Sequence, residues 1–186
     1  MMPKLRPAVF LDRDGVLNAP CVVGGRPFPP ASVDALRVLP GAREAVLRLR
    51  GAGFAIVVVT NQPDVARGTR TREAVEAINA ALAAQISIDA FKVCYHDDAD
   101  ECSCRKPKPG MLEQAAADMR LDLSRSFMIG DRWRDIEAGR RAGCRTILID
   151  WGYGEPQAEQ PDARVASLAE AADWILARAS GPRSGP

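Results

Sequence analysis

The sequence predicts an α/β fold, a three-layer sandwich in which a mainly parallel sheet lies between helices. Short apolar runs alternate with segments of helical periodicity along the chain, a pattern typical of parallel sheets. The 186 residues, 47% of them apolar, suffice for one domain with a substantial core and are few for two. No internal repeat or domain-sized insertion interrupts the pattern. We therefore expect a single domain over residues 1–179 without a large cap.

Five segments are predicted to be strands, and two of them have the composition of buried strands. Residues 8–11 are apolar and end abruptly in Asp-Arg-Asp-Gly, as a buried strand running into a loop does. Residues 54–59 form an uninterrupted apolar run rich in Val, typical of a strand buried on both faces. The other three strands are predicted at residues 91–95, 126–129 and 146–149.

Helices are predicted at residues 42–50, 71–85, 109–119, 134–142 and 168–179. Thr71 is a candidate N-cap of the second helix, and Pro109 begins the third, where its missing N–H costs nothing. Residues 19–40 contain most of the early Pro and Gly and are interpreted as a long irregular connection. Residues 180–186 are predicted to be a flexible tail.

The charge balance argues against a polyanionic partner. The formal net charge is +1, which gives no electrostatic reason to expect nucleic acid or a membrane surface. The apolar runs are all shorter than the roughly 18 residues of a membrane span, and the N-terminus lacks the pattern of a secretory signal. We therefore expect a cytoplasmic protein whose ligand is a small molecule. We also expect a monomer.

Unusual polar residues collect where the predicted strands end. Parallel sheets place ligands at the carboxyl ends of their strands, so these residues are expected to converge. In strand order they are Asp12 and Asp14, then Thr60 and Asn61, then the cysteine cluster with Arg105 and Lys106, then Gly130 and Asp131.

Clustered carboxylates imply a cation. Asp12 and Asp14 share a short loop, while Asp131 and Asp135 stand four residues apart at the start of a helix and can share one face. Such groups repel one another unless a cation lies among them, and magnesium prefers oxygen ligands. Together with a Thr hydroxyl and a Lys, they form the components of a phosphoryl-transfer site.

Four ordered motifs resemble the haloacid dehalogenase (HAD) superfamily of phosphohydrolases. They are Asp-Arg-Asp-Gly-Val-Leu-Asn from Asp12, Val-Thr-Asn-Gln from Val59, Arg-Lys-Pro from Arg105 and Gly-Asp-Arg-Trp-Arg-Asp from Gly130. The resemblance covers residues 8–149. It implies a Rossmann-like domain in which Asp12 attacks phosphorus to form an aspartyl-phosphate. Asp14 would protonate the leaving oxygen and then deprotonate the hydrolytic water.

The same resemblance implies the remaining roles. Magnesium would lie between Asp12, the backbone carbonyl of Asp14 and Asp131, with Asp135 ordering the metal shell. The phosphoryl oxygens would be held by Thr60 and Lys106. Neighbouring motif residues are candidates for substrate binding: Asn61, Gln62, Arg105 and Arg132.

Two other phosphatase chemistries are incompatible with the sequence. A mechanism that requires two histidines is excluded because His96 is the only one. A Cys-x5-Arg phosphocysteine mechanism is excluded because none of the five cysteines has an Arg six residues later.

Residues 94–104 contain a complete zinc ligand set. Cys94, His96, Cys102 and Cys104 offer three thiolates and one imidazole, enough for a closed tetrahedral site that is structural and leaves no position for water. The alternatives are free thiols with an exposed His96, or a strained disulfide between Cys102 and Cys104.

The zinc loop narrows the resemblance to the HAD branch that contains heptose 1,7-bisphosphate phosphatases and the histidinol-phosphate phosphatase domain. The leading hypothesis is removal of the C7 phosphate of a heptose 1,7-bisphosphate, with Arg105 gripping the second phosphate. The alternative substrate is histidinol phosphate, whose cationic groups the acidic residues of the loop would attract. They are Asp97, Asp98, Asp100 and Glu101.

Two further function classes are less consistent with the motifs. A non-enzymatic zinc-binding interaction module would explain the cysteine loop but would leave Asp12, Asp14, Thr60 and Asp131 without a role. A phosphomutase would use the same nucleophile but would have to keep water from the intermediate, and the expected lack of a cap argues against that.

Overall fold

The computed structural model describes residues 5–24, 26–153 and 160–179. Within them the strands are β1 (Ala8–Leu11), β2 (Cys21–Val23), β3 (Arg26–Phe28), β4 (Ala55–Asn61), β5 (Ala90–Cys94), β6 (Phe127–Gly130), β7 (Arg145–Ile149) and β8 (Ala163–Val165). The α-helices are α1 (Ala42–Gly51), α2 (Arg72–Ala83), α3 (Gly110–Met119), α4 (Trp133–Arg141) and α5 (Leu168–Ala179). Short 3-10 turns lie at Val33–Ala35, Asp98–Asp100 and Leu123–Arg125.

β1 lies inside a sheet whose order is β5-β4-β1-β6-β7-β8. Every neighbouring pair in it is parallel. The chain adds β4 and β5 on one side of β1 and then returns to add β6, β7 and β8 on the other. The winding direction therefore reverses beside β1, and in open parallel sheets ligands bind outside the carboxyl ends of the strands at such a reversal.

Alternate residues of β1 contribute to two separate cores. Val9 and Leu11 pack in the core that includes α1, α2 and α5, whereas Ala8 and Phe10 pack in the core that includes α3 and α4. All four side chains are fully buried. Burial on both faces explains why this strand is continuously apolar, and the predicted three-layer arrangement is confirmed.

The helix starts agree with the sequence signals. The Thr71 hydroxyl accepts a hydrogen bond from the Ala74 N–H at 3.2 Å and caps α2 as predicted. Pro109 is the residue immediately before α3, which begins at Gly110. None of the described helices combines the length and apolarity needed to cross a membrane.

Two strand features differ from the prediction. Residues 19–40 are not wholly irregular, because β2 and β3 pair as an antiparallel hairpin. Pro27 is tolerated in a two-stranded ribbon, where an unpaired edge leaves a missing N–H without cost. The three-residue β8 at the sheet edge was not predicted, since so short a segment has no measurable periodicity. The predicted tail at 180–186 lies outside the described residues.

Candidate active site

Asp12 is the first residue after β1 and lies at the carboxyl end of the sheet. Its N–H donates to the Ile129 carbonyl of β6 at 2.9 Å, which extends the strand pairing by one residue. The residue is only 8% exposed. Burial raises the pKa of Asp12 to about 6 against the opposing charge of Lys106, and the charges of Asp135 and Asp14 add to the rise.

Lys106 lies buried between two carboxylates. Its Nζ lies 2.9 Å from Oδ1 of Asp12 and 2.6 Å from Oδ1 of Asp135, and it donates to the Val59 carbonyl at 2.8 Å. Burial alone would lower the pKa of Lys106, but attraction to Asp12 and Asp135 outweighs it and the pKa is raised. The ammonium therefore stays charged beside the predicted nucleophile.

Asn61 holds the backbone of Lys106 in place. Its Oδ1 accepts from the Lys106 N–H at 3.1 Å, and its Nδ2 donates to the Lys106 carbonyl at 3.0 Å. This reciprocal pair ties the segment of Lys106 to the end of β4. Asn61 also lines the adjoining cleft, so it is near the expected substrate as well.

Asp12, Asp131 and Asp135 form one carboxylate cluster. One oxygen from each lies within 4.8 Å of the others, and all three residues are buried. Both Asp131 oxygens are buried and accept no hydrogen bond from any described residue; the Tyr153 hydroxyl is nearby but not in hydrogen-bonding geometry. Burial, followed by the charges of Asp12 and Asp135, raises the pKa of Asp131.

This cluster fits a divalent cation. Unpartnered buried carboxylate oxygens are costly, and a hard cation such as magnesium is their natural ligand. Gly15 lies against the same carboxylate cluster. Its φ is +86°, and a Cβ there would overlap the Asp131 carboxylate. Glycine therefore permits the loop after Asp12 to approach Asp131.

Thr60 and Asp14 are linked through one amide. The Nε2 of Gln62 donates to the Thr60 hydroxyl at 2.9 Å and to Oδ2 of Asp14 at 3.0 Å. Thr60 and Gln62 are 1% exposed each. Gln62, predicted to contact substrate, thus holds two other predicted site residues in a fixed relationship.

A cleft of about 540 Å³ opens beside these residues. Of the predicted site residues, its lining includes Asp12, Asp14, Thr60, Asn61, Gln62, Lys106, Asp131, Arg132 and Asp135. Pro27 and Phe28 of the β2–β3 hairpin and the adjoining Pro29 also line it. The structure therefore brings residues from four strand ends to one cavity.

The predicted zinc ligands also meet. The Cys104 Sγ lies 3.1 Å from Cys94 Sγ, 3.4 Å from Cys102 Sγ and 3.3 Å from His96 Nδ1. Cys94 Sγ lies 3.7 Å from both Cys102 Sγ and His96 Nδ1. A tetrahedron with zinc bonds of about 2.0–2.3 Å has edges of about 3.5–3.8 Å, so the four ligand atoms suit a zinc ion. The alternative of a Cys102–Cys104 disulfide is not the state observed, because both cysteines are free.

Arg105 is placed away from the cleft lining. Its Nε donates to Oδ1 of Asp98 at 2.8 Å and its Nη1 to the His96 carbonyl at 3.3 Å. Its side chain is 11% exposed. Arg105 therefore braces the zinc loop, an arrangement that the sequence did not indicate.

Other arginines, not singled out from the sequence, reach the cleft. Arg67 and Arg134 line it, and each also binds the zinc loop. Arg67 makes a two-pronged contact with Asp97 at 2.6 and 2.9 Å, and Arg134 Nη1 lies 3.0 Å from Oδ1 of Asp98. The zinc loop is thereby attached to the rim of the cleft.

A HAD-hydrolase-like family model matches residues 103–171. The chain is 38% identical to the D-glycero-D-manno-heptose-1,7-bisphosphate 7-phosphatase of Thermosynechococcus vestitus, over 91% of this chain and 95% of that protein. It is 34% identical to the D-glycero-beta-D-manno-heptose-1,7-bisphosphate 7-phosphatase of Escherichia coli, over 94% of this chain and 91% of that protein.

This chain is also similar to a solved structure of a protein with a related name. It is the D,D-heptose 1,7-bisphosphate phosphatase from B. bronchiseptica, complexed with magnesium and phosphate. The TM-score is 0.76 at 32% sequence identity, covering 92% of this chain and 99% of that one.

Proposed function

The chain belongs to the HAD-like hydrolases and is a phosphoric monoester hydrolase, and on that premise we propose that it removes the C7 phosphate of a D-glycero-D-manno-heptose 1,7-bisphosphate. The observation that carries the proposal is the buried contact between Asp12, Lys106 and the carboxylate cluster. The names of relatives that match nearly full length support the substrate.

Asp12 acts as the nucleophile in this proposal. Its carboxylate oxygen attacks phosphorus, the bond to the sugar oxygen breaks, and an aspartyl-phosphate forms. Lys106, fixed at 2.9 Å from Asp12, stabilises the negative charge on the phosphoryl oxygens. Thr60, held by Gln62, donates its hydroxyl to the same group.

Asp14 serves as general acid and then as general base. It gives a proton to the leaving sugar oxygen and later removes one from the water that hydrolyses the aspartyl-phosphate. Its position two residues after Asp12, facing the same cleft, suits both steps. The products are inorganic phosphate and the sugar monophosphate, and Asp12 is regenerated.

Magnesium would be held by Asp12, Asp131 and the Asp14 carbonyl. Bound there, it neutralises the carboxylates and the phosphoryl charge. Asp135 has both oxygens occupied, one by Lys106 at 2.6 Å and one by the Arg132 N–H at 3.1 Å. That arrangement supports a role for Asp135 in orienting the site rather than in direct ligation.

Zinc in the loop 94–104 is proposed to be structural. All four protein ligands are present, so no coordination position remains for water or substrate. The loop reaches the cleft through Asp97 and Asp98, which bind Arg67 and Arg134. Zinc would thus fix the rim on which substrate selection depends.

Arg134, with Arg132, is a better candidate than Arg105 for the second phosphate. Both line the cleft, whereas the Arg105 guanidinium is engaged with Asp98 and the His96 carbonyl. A phosphate entering the cleft would compete with Asp98 for Arg134, and guanidinium groups favour phosphate because they bind it with parallel hydrogen bonds.

Histidinol phosphate is less well supported as a substrate. Two of the four loop carboxylates that would attract its cationic groups are already paired with arginines: Asp97 with Arg67, and Asp98 with Arg105 and Arg134.

The test is phosphate release by the purified protein with and without magnesium. Both anomers of D-glycero-D-manno-heptose 1,7-bisphosphate and histidinol phosphate are offered, and ³¹P NMR identifies which phosphate remains. We expect loss of the C7 phosphate and no activity in Asp12→Asn. Turnover of histidinol phosphate alone, or activity in Asp12→Asn, would contradict the proposal.

A further inference from the structure

The Asp14 carboxylate is held by four donors. Its Oδ1 accepts from Asn18 Nδ2 at 2.9 Å and from Arg13 Nε at 3.3 Å. Its Oδ2 accepts from Arg13 Nη2 at 2.9 Å and from Gln62 Nε2 at 3.0 Å. Arg13 alone bridges both oxygens, so it sets the plane of the carboxylate.

Arg13 is in turn held by a residue outside the catalytic loop. Its guanidinium is fully buried, and its Nη1 donates to Oδ1 of Asn79 at 2.8 Å. Asn79 lies on α2, 66 residues away in the sequence, and is 7% exposed. A buried guanidinium that loses an acceptor bears a large desolvation penalty, so the Asn79 contact fixes one stable orientation of Arg13.

We propose that Asn79 is a positioning residue for acid–base catalysis, acting through Arg13 on the orientation of Asp14. The inference rests on the proposed function, in which Asp14 protonates the leaving oxygen. Helix α2 thereby takes part in the reaction although it does not line the catalytic cleft. Misdirecting a general acid by a fraction of its hydrogen-bond length weakens proton transfer while leaving substrate binding largely intact.

The leaving group distinguishes positioning from a general structural role. A sugar alkoxide needs a proton from Asp14 as it leaves, whereas p-nitrophenolate is stable without one. A defect in Asp14 orientation therefore lowers kcat/KM for the sugar phosphate selectively. A loosened α2 would lower kcat/KM for both substrates.

The experiment compares Asn79→Leu, which removes the acceptor at similar volume, with Asn79→Asp, which retains an acceptor for Arg13. Glu76→Ala, one turn away on the exposed side of α2, is the matched control. In Asn79→Leu we expect kcat/KM for D-glycero-D-manno-heptose 1,7-bisphosphate to fall about tenfold or more. For p-nitrophenyl phosphate the fall should stay within about threefold, and Asn79→Asp and Glu76→Ala should stay near wild type on both.

A second measurement uses the Asp14→Asn background. If Asn79 acts only through Asp14, Asn79→Leu causes no further loss there. Equal losses on both substrates, no loss at all, or a full additional loss in Asp14→Asn would overturn the inference. Should Asn79→Leu fail to fold, Asn79→Ala carries the same comparison. A wild-type protein inactive on both substrates would instead refute the proposed function.

Discussion

The Lys106 ammonium nitrogen lies 2.9 Å from Oδ1 of Asp12, and neither residue is more than 8% exposed. Because both groups are buried away from solvent, the attraction between the two charges is stronger than it would be on the surface. The same nitrogen also lies 2.6 Å from Asp135. The Lys106 ammonium group thus contacts two of the three clustered carboxylates before the substrate binds.

Replacing Lys106 should therefore disable turnover. We expect Lys106→Met to lower kcat by about a hundredfold or more, because the charge that stabilises the phosphoryl oxygens is lost. Lys92→Met is the matched control: Lys92 pairs with Asp118 on the surface, away from the cleft. Steady-state kinetics with p-nitrophenyl phosphate measures both variants, and near-wild-type turnover in Lys106→Met would remove Lys106 from the mechanism.

Asp131→Asn should separate metal binding from stability. Because no described residue donates a hydrogen bond to the Asp131 oxygens, their role is best explained by the cation, and losing the charge should raise the half-saturating magnesium concentration by about tenfold or more. The magnesium-free protein should at the same time become more stable, since a buried, unpaired carboxylate is removed. Titrating activity with magnesium tests the predicted loss of affinity, and thermal melts of the magnesium-free protein test the predicted gain in stability, with Asp118→Asn as the control for both. A lower Tm for Asp131→Asn without magnesium would contradict the account.

Magnesium affinity should weaken in acid. The pKa of Asp12 is raised to about 6 and that of Asp131 is also raised, so below pH 6 the ion must displace protons from its ligands. The apparent Kd for magnesium should rise by about tenfold between neutral pH and about pH 5. Calorimetric titration at both pH values measures it, and an unchanged Kd would show that these carboxylates are not the ligands.

The position of the active-site residues could be predicted because the carboxyl ends of parallel strands lie together at one edge of the sheet. Asp12, Thr60 and Asp131 lie far apart in sequence, yet each immediately ends or follows an apolar strand, and the topology brings them together. The strand pattern of the sequence therefore located them, and the resemblance to the HAD superfamily implied their roles. Whether they carry the assigned roles remains a prediction that the variants above test.

Contacts between side chains of distant elements could not be predicted in the same way. The direction of Arg105 depends on where Asp98 lies after the zinc loop has folded, and no local pattern encodes that. The Arg13–Asn79 contact joins the catalytic loop to one face of α2, and its only sequence signal is a long cationic residue between two aspartates. The β2–β3 hairpin is not predicted, because the Pro and Gly residues within 19–40 favour an irregular chain.

Zinc should contribute to stability rather than to the chemical step. We expect the purified protein to contain about one zinc ion per chain, and Cys102→Ser to lose it together with about 2 kcal/mol or more of unfolding free energy. Burial would raise the pKa of the Cys102 thiol, but hydrogen bonds from the Arg105 N–H and the neighbouring thiols lower it to about 7, which favours the metal-binding thiolate. Cys21→Ser, outside the cluster, is the control for elemental analysis and thermal melts. Full stability and no zinc in the wild-type protein would contradict the structural role.

Arg134 and Arg105 should affect substrate use differently. Arg134 lines the cleft and its contact with Asp98 is replaceable by a phosphate, so Arg134→Ala should raise KM for a bisphosphate by about tenfold while changing KM for p-nitrophenyl phosphate little. Arg105 braces the zinc loop through Asp98 and His96; its loss should lower thermal stability and affect both substrates alike. Measuring KM and Tm for both variants shows which arginine binds the second phosphate and which one stabilises the zinc loop. A selective rise in KM with Arg105→Ala, and none with Arg134→Ala, would return the second phosphate to Arg105 and require the zinc loop to rearrange when substrate binds.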